Sequence, residues 1–153
     1  MSFAEDTKVP IERSKAEIEA MLIRYGADQF VSGWGEAEAR IQFRASGRYI
    51  RFVLPIPKKD EPRFTQHARY DWKRRSEAEA VKAWEQELRR LWRALALVVK
   101  AKLEAVQSGI VGFEDEFMAH IVLPDGKTVA EHARPMIAQA YNTGTVTALL
   151  PGW

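Results

Sequence analysis

The chain has 153 residues, 46% of them hydrophobic, and no cysteine, which excludes a disulfide framework, a thiolate zinc site and a cysteine nucleophile. Its length predicts one domain that buries about two-thirds of its unfolded surface. The 23 Lys and Arg against 21 Asp and Glu leave a formal net charge of +2, but the charge is uneven: Lys and Arg number 4 against 8 acids over residues 1–39, 11 against 3 over 40–75, 6 against 5 over 76–108, and 2 against 5 over 109–153. A strongly basic middle between acidic ends points to a surface for a polyanion. Residues 1–10 carry no basic segment followed by an apolar run, and no run of about 18 apolar residues occurs. A cytoplasmic protein without membrane contact is the expectation.

Ser14 and Glu17 have the spacing of a capping box, and Ile18, Met21, Leu22 and Tyr25 recur at helical spacing, so a first helix is predicted from Ser14 to the stop at Gly26. Period two then takes over. Residues 29–34 form a short candidate strand. In residues 37–45, Ala37, Ala39, Ile41 and Phe43 alternate with Glu38, Arg40, Gln42 and Arg44. Ser46-Gly47 reads as a hairpin turn into residues 48–54, where Ile50, Phe52 and Leu54 face one way and Tyr49, Arg51 and Val53 the other. Pro55 and Pro57 end that strand, because proline cannot donate to a ladder.

Residues 58–75, KKDEPRFTQHARYDWKRR, are basic, with isolated aromatics and few aliphatics; a mobile basic arm over 57–75 is predicted. Ser76 with Glu79 opens a helix free of Gly and Pro until Gly109, about 48 Å long over residues 77–108. Val81, Trp84, Leu88, Leu91, Leu95 and Val98 form its heptad-like face. A short helix over 113–123, a turn at Pro124-Asp125-Gly126, a helix from Thr128 to about Tyr141 containing Pro135, and a tail over 142–153 complete the order. The predicted fold is a single α+β domain over 1–153: an N-terminal helix, a three-stranded antiparallel sheet, one long helix packed on it, and two short C-terminal helices.

If Ile41, Phe43, Ile50 and Phe52 face the core, the other sheet face carries Arg40, Gln42, Arg44, Tyr49 and Arg51, with Arg48 at the turn. The arm adds Lys58, Lys59, Arg63, Arg69, Lys73, Arg74 and Arg75 around Phe64, Tyr70 and Trp72. Lys and Arg neutralise phosphates and release counterions, and a ring stacks on an unpaired base for about 1–3 kcal/mol. The competing reading is that the first helix covers the sheet face, with Tyr49 as core, and that the arm is a solvated linker. Arg89, Arg90 and Arg93, beside Trp84 and Trp92, offer a lesser extension of the basic surface.

No enzyme signature stands out. Glu116 and His120 lie four apart, with Asp125 and His132 downstream, but the spacing matches no zinc pattern. The third strand lacks the carboxylate a magnesium nuclease needs, and Glu36, Glu38 and Arg40 are not followed by a suitable lysine. His67 is given no catalytic role. No Gly-rich phosphate loop, nucleophile elbow or dinucleotide fingerprint is present. No catalytic residue, metal ligand or cofactor is assigned.

The runs IEAMLIRYGADQF (18–30), RLWRALALVVKAKLEAVQSGI (90–110) and FEDEFMAHIVLPDGKTV (113–129) resemble a group of small uncharacterised bacteriophage and prophage proteins. The resemblance implies a phage-type protein of the host cytoplasm acting on DNA or on host machinery, and it transfers no active site. The expected function is non-catalytic, low-specificity nucleic-acid binding, with DNA favoured over RNA, through Arg40, Arg44, Arg48, Tyr49, Arg51, Lys58, Lys59, Arg63, Arg69, Tyr70, Trp72, Lys73, Arg74 and Arg75. The alternative is a protein-interaction module, an adaptor or inhibitor whose basic arm docks an acidic partner and whose long helix self-associates into a homo-oligomer. An enzyme of unrecognised type ranks third.

Overall fold

A computed structural model describes residues 4–67, 69, 70 and 72–146. Residues 147–153, the last part of the predicted tail, lie outside that description, as do Ala68 and Asp71 within the predicted arm. The chain folds as helix α1 (Ile11–Tyr25), strands β1 (Gln29–Trp34), β2 (Glu38–Ala45) and β3 (Arg48–Pro55), the single turn α2 (Pro62–Thr65), the long helix α3 (Glu77–Gln107), the short helix α4 (Phe113–Phe117) with a 3-10 turn at Met118–His120, and helix α5 (Val129–Thr143). This is the α+β order expected from the sequence.

The sheet is a meander, β1-β2-β3, antiparallel throughout. Its tight turn is set by Ser46 and Gly47, both at positive φ (51° and 73°), the geometry that matches the right-handed twist of a two-residue hairpin. Alternation then sorts the side chains. Ala39, Ile41, Phe43 and Ala45 of β2 and Ile50, Phe52 and Leu54 of β3 are buried, packed with Ile18 and Leu22 of α1 and with Trp92, Leu95, Ala96, Val99 and Leu103 of α3. Phe117 closes the core, edge-on to both Phe43 and Phe52.

Helix α1 begins four residues earlier than its capping-box pattern predicts. Pro10 occupies the N-cap position, and Ser14 is an interior residue, fully buried, with no hydrogen-bond partner for its Oγ. Its small side chain lies on the face shared with Ile18 and Leu22, where a longer residue would hold the helices apart. Helices α1 and α3 run alongside in the same direction: the Gln86 amide donates to the carbonyls of Glu5 and Thr7, and further along both segments Arg93 pairs with Glu17. The buried stripe of α3 is rotated from the predicted face, so that Trp92, Ala96 and Val99 are inside and Val98 is exposed.

Residues 113–123 do not form one helix. After the 3-10 turn, Ile121 bridges Ile50 and Val122 donates to the Tyr49 carbonyl at 2.8 Å, so the chain is captured by the free edge of β3. Pairing with that edge outweighs local helical preference. The Thr128–Glu131 capping box is complete, and α5 continues through Pro135, but none of its residues is buried.

Candidate nucleic-acid interface

The register places Arg40 beside Val53, Gln42 beside Arg51 and Arg44 beside Tyr49, all on the face opposite the core. Neither α1 nor α3 covers that face: Tyr49 is 39% exposed, and Val31 and Val53 are more so. The alternative reading, with Tyr49 as ordinary core beneath the first helix, does not describe this sheet.

The arginines of this surface are engaged. Arg44 grips Asp28 with two nitrogens, its Nε 3.0 Å from Oδ1, and its guanidinium lies 6.0 Å from the Tyr49 ring centre. The hydrogen bonds from Arg44 hold the Asp28 carboxyl below its usual range, and the same contact raises Arg44. Arg40 donates to Glu38 at 2.7 Å, and Arg48 reaches Glu114 at 3.3 Å. Arg51 donates to the Gly126 carbonyl at 2.9 Å and to Gln42 at 3.3 Å. A phosphate arriving here has to displace an acceptor already in place.

The segment expected as a mobile arm has internal anchors over its described residues. Phe64 on α2 is only 3% exposed, and α2 packs against α3. Two backbone bonds, His67 N–H to the Lys73 carbonyl and Arg75 N–H to the Thr65 carbonyl, both at 2.7 Å, tie the two limbs of the loop together. Burying one ring and closing the backbone onto itself compensates for the shortage of aliphatics. Because α3 lies on the covered side of the sheet, the loop and the open sheet face are separate surfaces.

Within the loop the cations divide. Arg63 pairs with Glu61 at 2.7 Å, and Arg75 donates to the carbonyls of Arg63 and Phe64, so both hold the loop together. Lys58, Lys59, Arg69, Lys73 and Arg74 have no carboxylate partner among the described residues. The rings form a run: His67 to Tyr70 at 5.4 Å, Tyr70 to Trp72 at 5.7 Å, with the Arg69 guanidinium 5.8 Å from the Tyr70 centre. Trp72 is 78% exposed. His67, for which the sequence predicts no role, belongs to this run; its place three residues before Tyr70 in a basic segment is the signal for it.

The arginines of α3 brace helices. Arg89 donates to Gln86, Arg90 pairs with Glu87, and Arg93 crosses to Glu17 on α1. Of the acid and histidine cluster, Glu116 faces Lys102, while His132 Nε2 and Asp125 Oδ2 pair at 2.6 Å. Among the described residues, no group of three or more His, Asp or Glu is arranged to hold a metal ion. Asp125 is held below its usual range, first by the Lys127 backbone N–H and then by His132. His120 stacks on Phe52 at 4.2 Å, and burial, aided by the charge of Lys102, pushes its pKa down.

Trp34, at the end of β1, also escaped the sequence reading. Alternation assigns it to the covered side, yet it stands at the end of the edge strand β1 and is 81% exposed, while its register partner Ala39 on the central strand is buried. Among the described residues, no helix is long and apolar enough to cross a membrane. Compared with known protein families, curated proteins and solved structures, the chain matches none of them.

Proposed function

We propose that this is a non-catalytic nucleic-acid-binding protein of low sequence specificity whose primary contact is the loop over residues 58–75, with DNA favoured over RNA. One observation carries the reading: exposed rings at Tyr70 and Trp72 stand among Arg69, Lys73 and Arg74, none of which has a carboxylate partner among the described residues. Cations with no carboxylate partner among the described residues release counterions on meeting phosphates with no ion pair to break there, and exposed rings stack unpaired bases of any sequence. The open sheet face, with Arg40, Arg44 and Arg51 around Tyr49, contributes little, because those arginines are held by internal acceptors. A phage-type protein of the host cytoplasm, which the resemblance of residues 18–30, 90–110 and 113–129 to small phage proteins implies, is part of this proposal.

The test is a fluorescence-anisotropy titration of labelled single-stranded DNA, duplex DNA and RNA at two salt concentrations, with and without Mg²⁺, followed by examination of the products. Salt-sensitive binding, tightest for the single strand and without cleavage, is the expected result. No binding at low salt would turn the loop into a docking element for an acidic protein, and cleavage would make the protein an enzyme.

A further inference from the structure

A groove of about 800 Å³ opens between the helices and the end of the sheet at the β1–β2 turn. Its walls are the first turn of α1, the β1–β2 turn, the segment 56–60 that leaves β3, and the middle of α3. The volume lies within the roughly 300–1,000 Å³ of small-molecule sites. Three tryptophans and three lysines give it its chemistry: Trp34, Trp84 and Trp92, with Lys15, Lys58 and Lys59.

The rings are held in different ways. Trp92 is buried, and the Lys15 ammonium sits 4.8 Å from its centre. The Trp84 indole N–H donates to the Pro57 carbonyl at 2.8 Å, which fixes the ring against segment 56–60 and leaves its face to the Lys59 ammonium, 4.6 Å from the centre. Trp34 has neither a ring nor a cation against it among the described residues. Glu12, Glu36 and Asp60 line the same groove, yet none forms an ion pair with the three lysines. The three lysines form no ion pair with these acids and two of them rest on π faces, an arrangement an anion can draw on without breaking an ion pair.

We infer that this groove binds a single unpaired nucleotide: the base stacks on Trp34, the phosphate is taken by Lys58 and Lys59, and the carboxylates accept hydrogen bonds from sugar hydroxyls or exocyclic amines. Lys58 and Lys59 also begin the basic loop, so a strand held along residues 58–75 delivers one nucleotide into the groove. In that respect the inference rests on the function proposed above.

The test separates the two. Intrinsic tryptophan fluorescence is titrated with adenosine 5′-monophosphate, with adenosine and with ribose 5-phosphate, while anisotropy follows a short labelled single-stranded oligodeoxyadenylate. The monophosphate is expected to quench saturably, and each fragment to bind at least about 10-fold more weakly. W34A, at an exposed ring, and K58A/K59A, which leaves every tryptophan in place, should each weaken the monophosphate by about 10-fold or more, whereas W72A should weaken only the oligonucleotide. Oligonucleotide binding without monophosphate binding would overturn the groove and leave the loop reading standing. Monophosphate binding without oligonucleotide binding would overturn delivery from a strand, and undiminished monophosphate binding in both groove variants would overturn the assigned residues.

Discussion

Two surfaces draw their charge from the same stretch of chain and end in different electrostatic states. On the sheet face, Arg40, Arg44, Arg48 and Arg51 each donate to an acceptor, including Asp28, 16 residues from Arg44, and Glu114, 66 residues from Arg48. In the loop, Arg69, Lys73 and Arg74 have no carboxylate partner among the described residues, and Tyr70 and Trp72 are exposed beside them. A count of Lys and Arg over residues 40–75 treats the two alike. What differs is where the fold brings carboxylates from the acidic ends, and it brings them to the sheet. Cations already paired gain little from a phosphate, since one hydrogen-bonded ion pair replaces another, so the loop is the stronger site for a polyanion.

The comparison can be broken most severely at the loop's anchor. Phe64→Ala removes the one fully buried ring of α2 and should cost about 3 kcal/mol in denaturant unfolding, with oligonucleotide affinity falling as the loop loses its seat. A loss below about 1 kcal/mol would mean that Phe64 does not hold the loop against α3.

Next in size is the triple change W72A/K73A/R74A. It should lower single-strand affinity about 10–100-fold and reduce the log-log salt slope by about 1.4, two cations at roughly 0.7 each. A variant that unfolds like the parent and binds like it would remove the loop from the interface.

Asp28→Asn sharpens the contrast from the other side. Without its carboxylate partner Arg44 becomes free, and the sheet face should gain about 2–3-fold in affinity with a salt slope steeper by about 0.7. An unchanged slope would show that pairing does not restrain that arginine.

The smallest effect concerns how the sheet is supported. Burial and Lys102 hold the pKa of His120 below its ordinary 6.5. As pH falls below 6.5 the unfolded chain takes up the proton first, so the folded state loses stability there and keeps it in full above. His120→Gln should therefore flatten the decline of Tm on the acid side of that value while leaving oligonucleotide binding unchanged. A parallel decline in the variant would assign the acid sensitivity to other groups.

Much of the fold is legible in local pattern. Period two separates Ile41 and Phe43 from Arg40 and Arg44, Ser46-Gly47 marks the hairpin, and Thr128 with Glu131 caps α5. The misreadings fall where distant contacts override local preference. Ser14 looks like a cap but is a packing residue between helices, and Ile121 and Val122 leave their helix for the edge of β3. The buried face of α3 is rotated because the sheet and α1, rather than a heptad partner, decide which side is covered. For the interface, the residue types were readable, but their ionic partners were not: nothing in the neighbourhood of Arg44 or Arg48 announces Asp28 or Glu114. Trp34 was hidden for a related reason, since alternation gives a side of the sheet and says nothing about which strand lies at its edge.

The most direct test is the salt dependence of single-strand binding measured side by side for the parent, W72A/K73A/R74A and R40A/R44A/R51A. The loop variant should lose about 1.4 from the slope and most of the affinity, while the sheet variant should change affinity by less than about 3-fold and keep the slope of the parent. The opposite pattern, a flattened slope in the sheet variant and an unchanged one in the loop variant, would contradict the account.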